Sequence, residues 1–146
     1  MNKQFKVSAL KDRRFKAPVT ILLASDVLGP DGQLAVDTLK IAGVFRSIPD
    51  DEIRLNLQRL DELRTKEDVK STELMDETRR QIKGYLVGVE KHPEHDWPFY
   101  DDAGQPLASS PELIDQLLEV REIRDAVEQA YKDARSSAVL EKNLKK

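Results

Sequence analysis

One stretch of the chain gathers metal-ligand residue types. His92-Pro93-Glu94-His95-Asp96 puts two imidazoles and two carboxylates within five residues, side chains that suit zinc or nickel. The spacing is not that of a helical His-Glu-x-x-His array, and Pro93 forbids such an array, so no metal site is expected. The pairs Asp50/Asp51, Asp61/Glu62 and Asp101/Asp102 are of the kind that acid–base catalysis uses. A catalytic carboxylate needs a cleft that shifts its pKa, however, and these pairs read as solvated helix faces and turns. No serine lies in a Gly-x-Ser-x-Gly setting, no glycine-rich phosphate loop is present, and there is no cysteine. Thiol catalysis, zinc fingers, iron–sulfur sites and disulfide scaffolds are thereby excluded. The expectation is a protein without catalytic residues and without a cofactor.

A different kind of chemistry is concentrated next door. Trp97-Pro98-Phe99-Tyr100 holds three of the eight aromatic side chains of the chain. Loop aromatics often dock on their own core; left partly exposed, Trp and Tyr serve as interface anchors. Both readings are open at this level.

The elements that must position these residues follow from the hydrophobic pattern. Residues 17–24 and 33–46 are rich in β-branched side chains and flank Gly29-Pro30-Asp31-Gly32, which is turn chemistry. They predict a β-hairpin or ribbon, with one register slip near Asp37–Leu39 to join two runs of opposite alternation. Such a ribbon is marginal alone and must pack on helices or on another subunit. Ser47-Ile48-Pro49-Asp50 opens a helix with a capping hydroxyl and acidic first turn, followed by Ile53, Leu57, Leu60 and Leu63 at helical spacing. A second helix is expected from about Glu67 to Val87, although residues 86–90 suit a strand as well. An irregular aromatic loop, 92–106, precedes a helix that starts at either Ser109 or Ser110-Pro111. Its apolar face runs through Leu113, Ile114, Leu117 and Leu118, and then through Ile123, Val127, Ala130 and Tyr131, with a kink near Val120. The fold class is therefore α+β and predominantly α-helical, with an N-terminal β-ribbon and about four helices. As one domain over 1–135 it divides into a basic, partly disordered head (1–14), the ribbon (15–46) and a helical part (47–135). A flexible tail (136–146) follows.

Charge is unevenly placed along the 146 residues, whose net is −3. The first sixteen residues set six basic side chains against Asp12 alone, so the middle of the chain is acidic, which argues against wholesale nucleic-acid binding. Without a run of about twenty apolar residues, no transmembrane helix is expected. The basic start is followed by no apolar signal region, which points to the cytoplasm. Four short amphipathic elements with few aromatics make a thin core, so burial across a subunit boundary, and hence a homo-oligomer, is expected.

Several short motifs, in order and over residues 15–143, resemble one family. Phe15-Lys16-Ala17-Pro18-Val19-Thr20 and Phe45-Arg46-Ser47 are similar to the N-terminal part of tail assembly chaperones of long-tailed bacteriophages and prophages. So are Tyr85-Leu86-Val87-Gly88-Val89-Glu90 and Tyr100-Asp101-Asp102-Ala103-Gly104-Gln105-Pro106-Leu107, with Val89 where the family has an aromatic. The segments Ser110–Leu118 and Arg121–Val127, then Tyr131 and Glu141-Lys142-Asn143, resemble its closing helices and ending. The resemblance implies a non-catalytic protein of the host bacterial cytoplasm, absent from the mature virion. It would bind the tape measure protein and bring tail tube protein to it. On this reading Trp97, Phe99, Tyr100, Leu107, Leu113 and Leu117 are the candidate partner-binding residues. The alternatives are a virion structural protein, such as a head–tail joining or tail-completion protein, and more remotely a small DNA-binding regulator.

Overall fold

Strict alternation of apolar and polar side chains dictates the first half of the chain. In the computed structural model, which describes residues 3–66, 68 and 70–144, β1 (Arg14–Leu28) and β2 (Leu34–Arg46) form a long antiparallel hairpin. Its turn is closed by Gly32 N–H donating to Gly29 O at 2.9 Å and Gly29 N–H donating to Gln33 O at 2.8 Å. Gly32 takes a φ of 77°, where a side chain would be strained. The odd-numbered residues of β1 from Phe15 to Leu23 point to the core, with Val19 and Ile21 fully buried, while Lys16, Pro18, Thr20 and Leu22 face outward.

The bulge is not at Asp37–Leu39. Those three residues pair without interruption with Leu23, Leu22 and Ile21, and the irregularity falls in β1 between Ala24 and Leu28. Side chains alternate with a period of two. An unbroken β2 therefore puts Leu34 and Val36 on the side of Lys40 and Ala42, away from the core.

The helical half is interrupted by a strand. After α1 (Val7–Lys11) and the hairpin come α2 (Asp50–Thr65) and α3 (Ser71–Tyr85), and α3 runs straight into β3 (Leu86–Lys91). β3 adds to β2, giving a three-stranded antiparallel sheet in the order β1-β2-β3. Val87 and Val89 favour an extended backbone, and Gly84 and Gly88 weaken a continued helix. Glu67, where the sequence places the start of α3, lies outside the described residues. Next come α4 (Pro111–Leu117), α5 (Arg121–Ala134) and α6 (Ser137–Leu144). Six helices are thus described rather than about four: α1 and α6 fall in the head and tail, and neither buries a residue. At Leu118–Val120 the expected kink is a full break between α4 and α5.

Local capping selects among the starts legible in the sequence. Ser110 Oγ accepts from Leu113 N–H at 3.1 Å with Pro111 in the first turn of α4, and Ser109 Oγ instead accepts from Val89 N–H at 3.2 Å. Ser47 does not cap α2. The N-cap is Pro49, and Ser47 N–H donates to Arg13 O at 2.7 Å, extending the hairpin pairing by one residue.

The core lies between the inner face of the sheet and α3, α4 and α5. Its densest part is aromatic. Phe45, with no exposed surface, packs on Phe15 at 5.6 Å and Tyr131 at 5.8 Å between ring centroids, and Tyr131 stacks on Tyr85 at 4.0 Å. Burial pushes the Tyr85 phenol well above its ordinary pKa, with help from the nearby Glu128 charge. The Phe45 ring folds back over Gly43, where a Cβ would meet ring carbons at 2.5 and 2.7 Å. Overpacking of this kind costs about 1–3 kcal/mol, so Gly43→Ala is expected to lower stability by about that amount in urea unfolding. Unchanged stability in that variant would show that the ring is free to move aside.

Candidate functional site

The aromatic loop is held by its own backbone. Asp101 Oδ1 accepts from the amides of Ala103 and Gln105, both at 2.9 Å, and Asp101 N–H donates to Gln105 O at 2.9 Å. Gly104, with a φ of 78°, completes a tight acidic turn. On either side the chain pairs with itself: Tyr100 bridges Pro106, Leu107 N–H donates to Phe99 O at 3.0 Å, and Trp97 Nε1–H donates to Leu107 O at 3.1 Å. Trp97 and Phe99 meet edge to face at 5.2 Å, a favoured aromatic geometry.

This arrangement separates the six candidate residues. Leu113 and Leu117 are 3% and 7% exposed and belong to the central core. They therefore present nothing to a partner in this fold, because the α4 stripe that carries them is the one the sheet needs to close its inner face. Trp97, Phe99 and Leu107 are half-buried and pack against the same core, so their main contacts are internal. Tyr100 alone, 54% exposed, points to solvent.

The acidic pairs are all exposed, and the described residues contain no group of three or more metal-ligand side chains. His92 and His95 approach with ring centroids 4.8 Å apart, but His92 Nδ1 accepts from Glu94 N–H at 3.1 Å. No described helix is long and apolar enough to cross a membrane.

The surface that sequence reasoning passed over is on α2. Its stripe reads as core from spacing alone, yet none of its sixteen residues is buried. Leu55 and Leu57 are 56% and 57% exposed, and Met75 of α3 is exposed beside Leu74. Leu57 lines a shallow groove with Arg54, Gln58, Asp61 and Glu62. Ile53 packs against the core and Leu60 and Leu63 are half-buried, and polar links add to this attachment of α2 to the body. Arg46 forms an ion pair with Glu52, donates to Gly84 O at 3.2 Å and reaches Asp12 at 3.2 Å. Arg80 donates to Asn56 Oδ1 at 3.0 Å, and Gln81 Nε2 donates to Asn56 O at 3.2 Å. The Arg80 guanidinium also binds Glu77 at 2.7 Å; this hydrogen bond holds the carboxyl below, and the guanidinium above, its ordinary pKa. The pair sits midway along α3, where Arg80 also meets the middle of α2.

No protein-family model, curated protein or solved structure matches the chain. The functional reading therefore stands on the residues themselves.

The loop geometry makes a direct prediction. Truncating buried aromatic side chains costs about 3–5 kcal/mol, and Trp97 is half-buried. Trp97→Ala is therefore expected to destabilise the fold by about 1–3 kcal/mol in chemical denaturation, while Tyr100→Ala stays within about 0.5 kcal/mol of the parent. Equal effects at the two positions would contradict the internal role of Trp97.

Proposed function

We propose that the chain is a non-catalytic tail assembly chaperone of a bacteriophage or prophage. It binds the tape measure protein in the host bacterial cytoplasm, helps recruit tail tube protein and is absent from the mature virion. The observation that carries this reading is α2: a sixteen-residue helix with charged flanks on which Leu55 and Leu57 are more than half exposed, while Ile53, Leu60 and Leu63 are half-buried. A long helical client needs its apolar stripe covered, and a second amphipathic helix covers it by laying leucines along it. Leu55 and Leu57, about 200° apart around the helix, are left exposed on its two flanks. Affinity per copy is modest on so small a contact, and many copies along one client supply avidity while each remains releasable. The motif order described above supports the same assignment.

Co-expression with the tape measure protein of the same phage genome tests the proposal. The parent is expected to keep the client soluble and to co-purify with it. The pair Leu55→Glu and Leu57→Glu is expected to abolish both effects while the far-ultraviolet circular dichroism stays unchanged. An insoluble client in the presence of the parent contradicts the reading. So does finding the protein in purified virions by mass spectrometry, where a head–tail joining protein would persist.

A further inference from the structure

The sheet has an open edge along β1. Ser47 N–H donates to Arg13 O at 2.7 Å, and the β1–β2 register sets Arg13 opposite Ser47. Opposed residues of an antiparallel pair exchange backbone bonds at every second position, so the odd-numbered residues of β1 bond to β2. The even-numbered ones turn their N–H and C=O groups away from the sheet. β3 keeps the same phase: Val89, opposite Gly43, faces outward and donates to Ser109 Oγ at 3.2 Å. A side chain thus caps the β3 edge. On the β1 edge, Thr20, Leu22 and Ala24 are exposed, and among the described residues their outward N–H and C=O groups meet no partner.

Edge strands are normally defended by proline, lysine or a bulge. Here the defences stand at the two ends of a window and not inside it. Lys16 and Pro18, which has no N–H to offer, close it toward the start of β1. The irregularity between Ala24 and Leu28 closes it toward the tip, where Val27 N–H donates to Ser25 Oγ at 3.3 Å. No residue from 19 to 25 is charged, so neither face of the window repels a neighbour. The window is centred on Leu22. A strand of the same sequence laid antiparallel about that point sets Thr20 opposite Ala24, Leu22 opposite Leu22 and Ile21 opposite Leu23. Each free donor then faces a free acceptor, and aliphatic side chains pair on both faces.

We propose that a second copy of this chain occupies the β1 edge, antiparallel about a two-fold axis at Leu22, joining the two sheets into one. The contact is isologous and closes on itself. A helical client cannot take this place, because its own backbone groups are paired internally; an extended segment is required, and the second copy supplies one in register. Helix α5 leaves room for it. It lies along β1 on the inner side, with Tyr131 and Phe15 at 6.1 Å between ring centroids. From Tyr131 back to Arg121 it rises about 15 Å, the length of about five strand residues, so it stops short of Leu22. The α5 helices of the two copies therefore fall on opposite sides of the axis. The other open edge, residues 34–40 of β2 beyond the end of β3, matches itself less well, because pairing about its centre sets Asp37 opposite Asp37. The inference concerns the chain alone and does not rest on the chaperone reading.

Two measurements on the purified full chain decide it. In sedimentation the parent is expected to show a reversible monomer–dimer equilibrium. Leu22→Pro removes an outward N–H and no bond to β2, and is expected to weaken the dimer at least tenfold, about 1.4 kcal/mol, with unchanged circular dichroism. Val36→Pro, on the β2 edge, is expected to leave the dimer intact. In amide exchange read residue by residue, Thr20, Leu22 and Ala24 are expected to exchange fast in dilute solution and to slow as the dimer fills, while Val19 and Ile21 are protected throughout. A parent that is monomeric at every concentration overturns the proposal. So does a dimer in which Thr20, Leu22 and Ala24 still exchange fast, or one that Val36→Pro breaks and Leu22→Pro spares. If Leu22→Pro fails to fold, the exchange measurement on the parent carries the test.

Discussion

Phe45 lying over Gly43 is the contact on which the rest of the fold depends. Half of the eight aromatic side chains of the chain, Phe15, Phe45, Tyr85 and Tyr131, gather at this point. They come from β1, β2, α3 and α5, so a single cluster joins four elements far apart in sequence. Glycine at position 43 is what allows the ring to lie flat against the sheet. The buried aliphatic residues spread outward from this cluster along the inner face, through Val19, Ile21 and Ile41 to the α4 leucines.

Concentrating the core in this way leaves two parts of the chain outside it. The distal hairpin runs past β3, which pairs only with Ile41–Phe45, and its outer apolar residues meet nothing internal. Helix α2 fully buries no residue: Ile53 packs on the core, and Arg46, whose guanidinium joins Asp12, Glu52 and the end of α3, anchors its start. Hydrogen bonds to charged groups contribute about 1.5–3 kcal/mol, enough to fix one end of a helix but not to shield its leucines. The two exposed surfaces differ in character. The hairpin face is extended, with Leu22, Leu34 and Val36 exposed on its outer side. The α2 face is helical and mixed in charge, which suits a long amphipathic client.

Much of this was legible before any coordinates. The hairpin, its Gly-Pro-Asp-Gly turn, the start of α4 at Ser110-Pro111 and the leucine face of α4 and α5 all follow from alternation, helical periodicity and capping chemistry. Three features did not follow. β3 was ambiguous because Val87 and Val89 continue a helical pattern and a strand pattern equally well, and only the free edge of β2 decides between them. The slip expected near Asp37–Leu39 does not form, because Leu34 and Val36 stay on the outer face of an unbroken β2. Their true position, outside, makes the slip unnecessary. The burial of Leu113 and Leu117 escaped the sequence for the converse reason. A stripe such as Leu113–Leu117 and one such as Ile53–Leu63 look alike in sequence. Which of them is buried depends on which helix the sheet takes as its cover.

The picture is of a body organised around one aromatic cluster, with α2 held at its side by Ile53 and Arg46; under the proposed function α2 is the element that meets the client. Amide hydrogen exchange tests this most directly, because it resolves local opening element by element. In the free chain, amides of α2 should exchange much faster than those of β2 and α5, and they should become protected when the tape measure protein is bound. Equal protection of α2 and β2 in the free chain, or no change in α2 on binding, would contradict the account.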